Sequence, residues 1–454
     1  MKTKYFFIAA AFAATSMFLQ SCKDDLEPIE QDGDATTMTV AISFPQVKTR
    51  ATSDLYGTEG ESMVNTVDVY VYNAVNGNFV SHKRLSGADF SQAASGTDRD
   101  NWNVAAKIPT TTGERVVFAG INLPQTVAEG LVGKPVSALA NSAQDMTKKD
   151  LMGDTYNNFA MFSEKGTKVT LLDDESKNNV TLVCKRLVAK VVVEQADDMK
   201  VEGVPGKLTN LTYAINNFNL KTLLLQGDAP FRKDANWAKG SYNVNEFVKL
   251  SNNYVEVKEH NAAANYTSPP LYAAENTSEG KTKKEITRAT VRGQFVPDKV
   301  ATWDGKALIH VDNPDINAAP QTFYAVVASI YDGTYYFIDK KMADDFADYK
   351  NNEFGYTGDD LIKPIKYTDG YCYWDIFLNR NAIDEENQWD VLRNEFYRCK
   401  ITRVTTPGRS GPDLEDEGGG GSGPDEKPDV NTNISVNIEI LHWLVRPFEN
   451  VELY

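Results

Sequence analysis

The stretch Met38-Thr-Val40-Ala-Ile42-Ser-Phe44 alternates apolar and polar residues and stops at Pro45. A period of two predicts a strand with one buried face, and Pro45, which has no backbone N–H to donate, ends it. Val67–Tyr72, Arg115–Ile121, Val180–Cys184 and Leu187–Val193 also read as strands. Several are apolar on both faces, as in a sandwich core. A second set begins near Leu208: Leu211–Phe218, Leu220–Leu225, Thr290–Phe295, Phe323–Ile330, Tyr335–Ile338, Tyr371–Leu378 and Phe396–Val404. Helical spacing is confined to about 125–150 and to Met342–Tyr349. The pattern predicts a mainly β chain with two β-sandwich domains, 51–225 and 226–406, dividing somewhere around 205–230.

The pattern of the first strand returns at the far end. Ile434, Val436, Ile438 and Ile440 alternate with polar residues, and Leu441, Trp443 and Val445 extend or bend that strand. Residues 407–432 between the second domain and this segment, 433–454, include the run Gly418–Gly421 and read as a flexible linker. Near the front, Arg50-Ala51 lies in the polar stretch Gln46–Glu61, a candidate site of proteolysis. Two strands of one pattern can occupy one groove in turn. Cutting would remove Met38–Phe44, and a neighbour's terminal strand would replace it. Four inward side chains contribute roughly 6–12 kcal/mol together, and the linker spans roughly 25–30 Å. Such a contact does not close on itself and builds a filament. The same pattern also admits both strands pairing within one molecule.

Composition narrows the picture. The chain has 454 residues, 41% hydrophobic and 24% charged, with 21 Tyr and 21 Phe, which favours β structure. A net charge of −16 argues against nucleic acid as a partner. Lys2 and Lys4 precede the apolar run Tyr5–Leu19, which has signal-peptide length and is short for a membrane span. It ends in Leu19-Gln20-Ser21-Cys22, which resembles the bacterial lipobox, so 1–22 is expected to be a lipoprotein signal with Cys22 lipidated. Cys22-Lys23-Asp24-Asp25 is similar to the tag that directs lipoproteins to the outer face of the outer membrane. Residues 23–50 then form a propeptide carrying the removable strand. Cys184, Cys372 and Cys399 form no CxxC and read as buried thiols, although Cys372 and Cys399 would pair if their strands were neighbours.

Candidate chemistry is sparse. His82, His260, His310 and His442 are scattered, with no HExxH and no nucleophile motif. Gly418–Gly421 has no strand before it and no helix after it, as a phosphate loop needs. Asp312-Asn-Pro-Asp315 reads as a polar turn before it reads as a calcium site, and Trp102, Trp237 and Trp303 as packing residues before sugar platforms. No enzyme, catalytic residue, metal or cofactor is expected. The alternative to a filament subunit is an anchored surface lipoprotein that binds glycan or another ligand without polymerising.

Taken in order, these residues resemble a known family. The lipobox at Cys22, the strand ending at Phe44-Pro45, the Arg50-Ala51 junction, Asn65–Val71, Lys185–Val191, Val391–Ile401 and the terminal Ile434–Trp443 together are similar to the Bacteroidetes fimbrillins, the type V pilins, and most to the minor (Mfa-type) shaft subunits. The resemblance covers the full length, with residues 230–360 contributing least. It implies two transthyretin-like β-sandwich domains and export as an outer-membrane lipoprotein. It implies cleavage after Arg50 by an arginine-specific protease and polymerisation through the donor segment 433–454, with anchor and tip subunits as partners. A cuttable front strand and a donor tail together point to the shaft. The Gly-rich linker departs from the Pro-rich linkers of the family.

Overall fold

The protein is mainly β. The computed structural model describes residues 33–44, 58–92, 101–141, 144–202, 205–219, 221–225, 234, 247–248, 253–261, 266–277, 281–315, 317–329, 333–379, 388–414, 428 and 434–442. Main strands of the first half are β1 (Ala35–Ser43), β2 (Thr66–Asn73), β3 (Phe79–Ser86), β4 (Phe90–Gln92), β5 (Asn101–Thr111), β6 (Gly113–Ile121), β7 (Met161–Ser163), β8 (Thr167–Leu171) and β9 (Asn179–Arg186). They form one sheet in the order β3-β2-β6-β7-β9-β1-β5-β4, with β8 also on β6. The alternation of β1 is expressed directly: Met38, Val40, Ile42 and, just beyond its end, Phe44 are buried in the first core with Val69, Phe118 and Leu182. The helix-compatible stretch becomes three short helices, Gln125–Gly130, Ser137–Asn141 and Lys148–Met152. Gly130, Gly133 and Pro135 interrupt it, and Thr147 restarts it through a reciprocal capping box with Asp150.

The second half contributes β10 (Val188–Val201), β11 (Gly206–Asn216), β12 (Leu271–Ala274), β13 (Arg288–Pro297), β14 (Tyr371–Phe377), β15 (Glu395–Val404) and β16 (Ile434–His442). One sheet runs β12-β10-β15-β16, and a second runs Val255–Glu256, β11, β13, β14. Val191 and Tyr397 of the first pack with Tyr213 and Trp374 of the second in the second core. A smaller third core joins the hairpin Lys299–Trp303 and Leu308–Asp312 to the helix Lys340–Phe354, with the Trp303 and Phe346 rings 5.3 Å apart. Asp339 caps that helix at its start, and Gly355, at φ +70°, ends it in the left-handed conformation that glycine adopts without a Cβ clash.

The two large cores meet within β10. Val188 and Val192 enter the first core, whereas Ala189, Val191 and Val193 enter the second, the two faces of one strand. Ala189 is the first residue of β10 in the second core, and Leu224, farther along the chain, packs in the first. The strand expected over Leu220–Leu225 contracts to Lys221–Thr222, paired with Gln144–Asp145. Cys184, Cys372 and Cys399 are buried free thiols, and Cys372 and Cys399 are not bridged.

Candidate functional site

β1 is an interior strand of its sheet. It runs parallel to β9, with Val40 opposite Val180 and Ile42 opposite Leu182. On its other side it runs antiparallel to β5, with Met38 opposite Ile108 and Ile42 opposite Trp102, across a bulge between Met38 and Val40. Polar bonds fix its start: buried Asn178 donates from Nδ2 to Thr36 Oγ1 (3.1 Å) and to the Leu172 carbonyl (2.8 Å), and its own carbonyl accepts from Thr39 N–H (2.8 Å). Removing β1 leaves the edges of β9 and β5 unpaired and uncovers Val104, Val180 and Leu182.

β16 lies at the other end of the molecule's register, as the outer strand beside β15. Ile434 is opposite Val404, Val436 opposite Ile401 and Ile438 opposite Cys399. Ile434 and Val436 are buried in the second core, and Ile438 is half-buried against it. Ile440 and Leu441 stand opposite Tyr397 and Phe396 in backbone register. Both strands are therefore seated within one chain here, β1 inside a sheet and β16 on an edge. Cys22, Arg50, Ala51, Trp443 and Val445 lie outside the described residues.

The segment read as a linker from 407 begins as docked structure. Arg409 and Tyr373 exchange backbone hydrogen bonds of 2.9 and 3.0 Å. Trp374 Nε1 donates to the Thr406 carbonyl (2.9 Å), and Tyr367 Oη donates to the Gly408 carbonyl (2.8 Å). Gly408 sits at φ +71°, and a Cβ there would meet the Tyr373 carbonyl oxygen at 2.3 Å, so only glycine fits. Arg409 grips Asp375 through Nη1 (2.5 Å) and Nη2 (3.3 Å). Asp375 also meets Arg288 Nε at 3.3 Å and accepts from Thr290 Oγ1 at 2.8 Å. Burial pushes the Asp375 carboxyl up, but Arg409 and Arg288 outweigh it and hold it at about 2.

Eleven residues beyond the expected cut, the chain is anchored again. A short helix, Glu59–Ser62, starts with a capping box between Thr58 and Glu61. Glu61 is fully buried, where Lys190 Nζ of β10 lies 2.9 Å from its Oε1, the Tyr272 hydroxyl donates to the same carboxylate, and Arg186 Nε donates to its backbone carbonyl (3.0 Å). Burial pushes Lys190 down to about 8 against the pull of Glu61, and Arg186 down to about 10. This cluster lies on the face of β10 that carries Val188 and Val192, and it ties the helix Glu59–Ser62 to β10 and β12 beside the first core. Nothing in the local sequence marks Glu61 as a partner of Lys190, 129 positions away.

The remaining candidates are structural. His82 Nε2 meets buried Asp68 at 2.9 Å, His260 joins Glu194 and Arg398, and His310 stacks on Tyr335. Asn313 Oδ1 accepts from the Asp315 N–H at 3.0 Å, so 312–315 is a polar turn. Trp303 is buried in the third core; Trp237 lies outside the described residues, as do the side chains of Trp102 and His442. Among the described residues no cluster of His, Cys, Asp and Glu is arranged to hold a metal, and no helix is long and apolar enough to cross a membrane.

Two family models match this architecture from either end. The one described as major fimbrial subunit protein (FimA) matches residues 36–213, which holds β1 and its sheet. The one described as major fimbrial subunit protein type IV, fimbrillin, C-terminal, matches residues 365–448, which holds β14 to β16 and the docked linker root. The chain belongs to the fimbrillin family. Fimbrillins are structural subunits, so this protein is a non-enzymatic component of a cell-surface fimbrium. A comparison with curated proteins finds no match. Among solved structures, a candidate cell adhesion protein from Parabacteroides distasonis shares the fold of this fimbrillin at 13% identity, with a TM-score of 0.50 over 90% of this chain and 98% of the other. A fimbrilin from Porphyromonas gingivalis aligns at 13% identity over 90% and 98% of the two chains with a TM-score of 0.49. The tip fimbrial protein Mfa3 of the same organism, truncated at its C-terminus, aligns at 17% over 90% and 100% with a TM-score of 0.40.

Proposed function

We propose that this fimbrillin is a shaft subunit, exported as a lipoprotein through Cys22, cut after Arg50 by an arginine-specific protease and polymerised by exchange of its C-terminal strand. The observation that carries the reading is the difference in seating of two strands with one pattern. β1 fills an interior slot whose loss opens the first core, and β16 presents matching alternation at an edge. Interior loss creates demand for a strand, and an edge strand has one ladder to break before it can leave. An incoming strand that copies β1 runs parallel to β9, with Ile434, Val436, Ile438 and Ile440 in the places of Met38, Val40, Ile42 and Phe44. Because residues 406–412 are docked, the bridge between subunits starts beyond them and is shorter than the segment from 407. Its partners are other copies of itself, head to tail, with tip and anchor subunits at the ends, and the outer membrane holds the precursor until the cut.

The test is to treat purified precursor lacking residues 1–22 with an arginine-specific protease and run it unboiled on a denaturing gel. A ladder of multimers whose subunits begin at Ala51 supports the reading. A folded monomer cut at Arg50 without any ladder, or never cut there, points instead to an anchored lipoprotein that binds a ligand without polymerising.

A further inference from the structure

We infer that Arg409–Ser410 is a second, latent processing junction, masked by the docking of residues 406–412 on β14 and available to an arginine-specific protease only when that docking opens. The inference rests on the proposed arginine-specific processing and concerns what spares the tail from it. Hydrolysis at this bond adds water across the Arg409 carbonyl carbon and the Ser410 nitrogen. The products are an Arg409 carboxylate and a new Ser410 amine, and residues 410–454, which include β16, lose their covalent link to the rest of the chain while β16 stays paired with β15.

An endopeptidase of this class takes its substrate as an extended segment. The arginine side chain enters an acidic pocket, and the scissile carbonyl turns toward hydrogen-bond donors. Each requirement is already met within the fold by a competing group. The guanidinium is held by Asp375 at 2.5 and 3.3 Å, and its side chain is only 14% exposed. The Arg409 carbonyl accepts from Tyr373 N–H at 3.0 Å, and the Arg409 N–H donates back at 2.9 Å. The preceding residue, Gly408, is at φ +71°, which is not extended, and its carbonyl is taken by the Tyr367 hydroxyl at 2.8 Å. Asp375 thus stands in for the carboxylate of the protease pocket, and all of these contacts must open together before the bond is presented. Cleavage of a segment that opens and recloses quickly tracks its open population, so weakening the grip raises the rate in proportion.

The experiment compares the purified full-length chain with D375N, Y367F and D375N/R409K under native conditions. Each is incubated with an arginine-specific endopeptidase and followed by intact mass and N-terminal sequencing. D375N is expected to form the Ser410 terminus at least about tenfold faster than wild type. Y367F gives a smaller acceleration, and R409K in the D375N background abolishes the fragment. Wild type cut at Arg409 as fast as D375N, or D375N as resistant as wild type, overturns the inference. Cutting after buried Arg186 reports global unfolding; if D375N shows it, Y367F decides, and no acceleration there overturns the inference. The terminus at Ala51 is scored separately. Formation of the Ser410 terminus in D375N with Arg50 uncut in every sample leaves the masking intact and removes the processing pathway.

Discussion

Ile42 lies opposite Leu182 in parallel register, and neither side chain has any exposed surface. Truncating Ile42 to Ala is expected to cost the uncut precursor about 2–5 kcal/mol, because the site lies inside a packed sheet. In assembled filaments from which β1 has been cut, the same substitution should leave stability at the wild-type value. Urea unfolding of both forms checks this, and an equal loss in the two means that β1 stays in place.

Ile438 offers the complementary test. Deleting 433–454 is expected to stop polymerisation, but it also strips Ile434 and Val436 from the second core, at about 1.5–3 kcal/mol each. Half-buried Ile438 is a cleaner position. Ile438→Asp should lower monomer stability by about 1–3 kcal/mol and abolish the multimer ladder, because a buried carboxylate in the acceptor slot has no partner. Normal assembly would place this side chain toward water.

Lys190 and Glu61 form a buried ion pair, so removing one member leaves the other charge stranded. Lys190→Met is expected to destabilise the protein by about 3–5 kcal/mol, and adding Glu61→Gln should recover part of that loss. A double-mutant cycle by chemical denaturation measures the coupling. A cycle that closes at zero means the pair contributes only packing.

Asp375 sets an acid limit on the docked linker root. Its carboxyl is held at about 2 in the fold against an ordinary value of 3.8. A depressed folded value stabilises fully above the unfolded value and is lost as pH falls through the folded one. The contribution is therefore complete above about pH 4 and disappears toward pH 2, amounting to about 2–3 kcal/mol. Unfolding midpoints measured between pH 5 and 2 should fall more steeply for wild type than for D375N, and parallel curves would exclude the clamp.

What was legible in the chain was whatever a short window contains. The alternation of β1 and β16 predicts both strands, and the helical spacing of Met342–Tyr349 falls inside the helix Lys340–Phe354. β3, Phe79–Ser86, was not legible: it reads as polar because His82 and Arg84 both meet buried Asp68 on the neighbouring strand, a satisfaction that exists only after pairing. The linker root misleads for a related reason. Thr405–Asp413 has the Gly, Pro and polar composition of a free loop, and composition does not register a partner such as Asp375, 34 positions away. The double role of β10 is not legible either, because apolar residues on both faces are shared by a strand inside one core and a strand between two.

That shared strand has a mechanical consequence. β10 joins the first domain at its N-terminal end, and β15, its parallel neighbour, leads toward the tail from its C-terminal end. Tension applied between the first domain and the tail therefore pulls the two strands from opposite ends. Their hydrogen bonds are loaded in shear, all rungs at once, instead of being unzipped in turn. Forced unfolding is governed by the barrier to opening, so a fibre made of such links should stretch first where subunits are strung together and only last where each subunit's halves are joined.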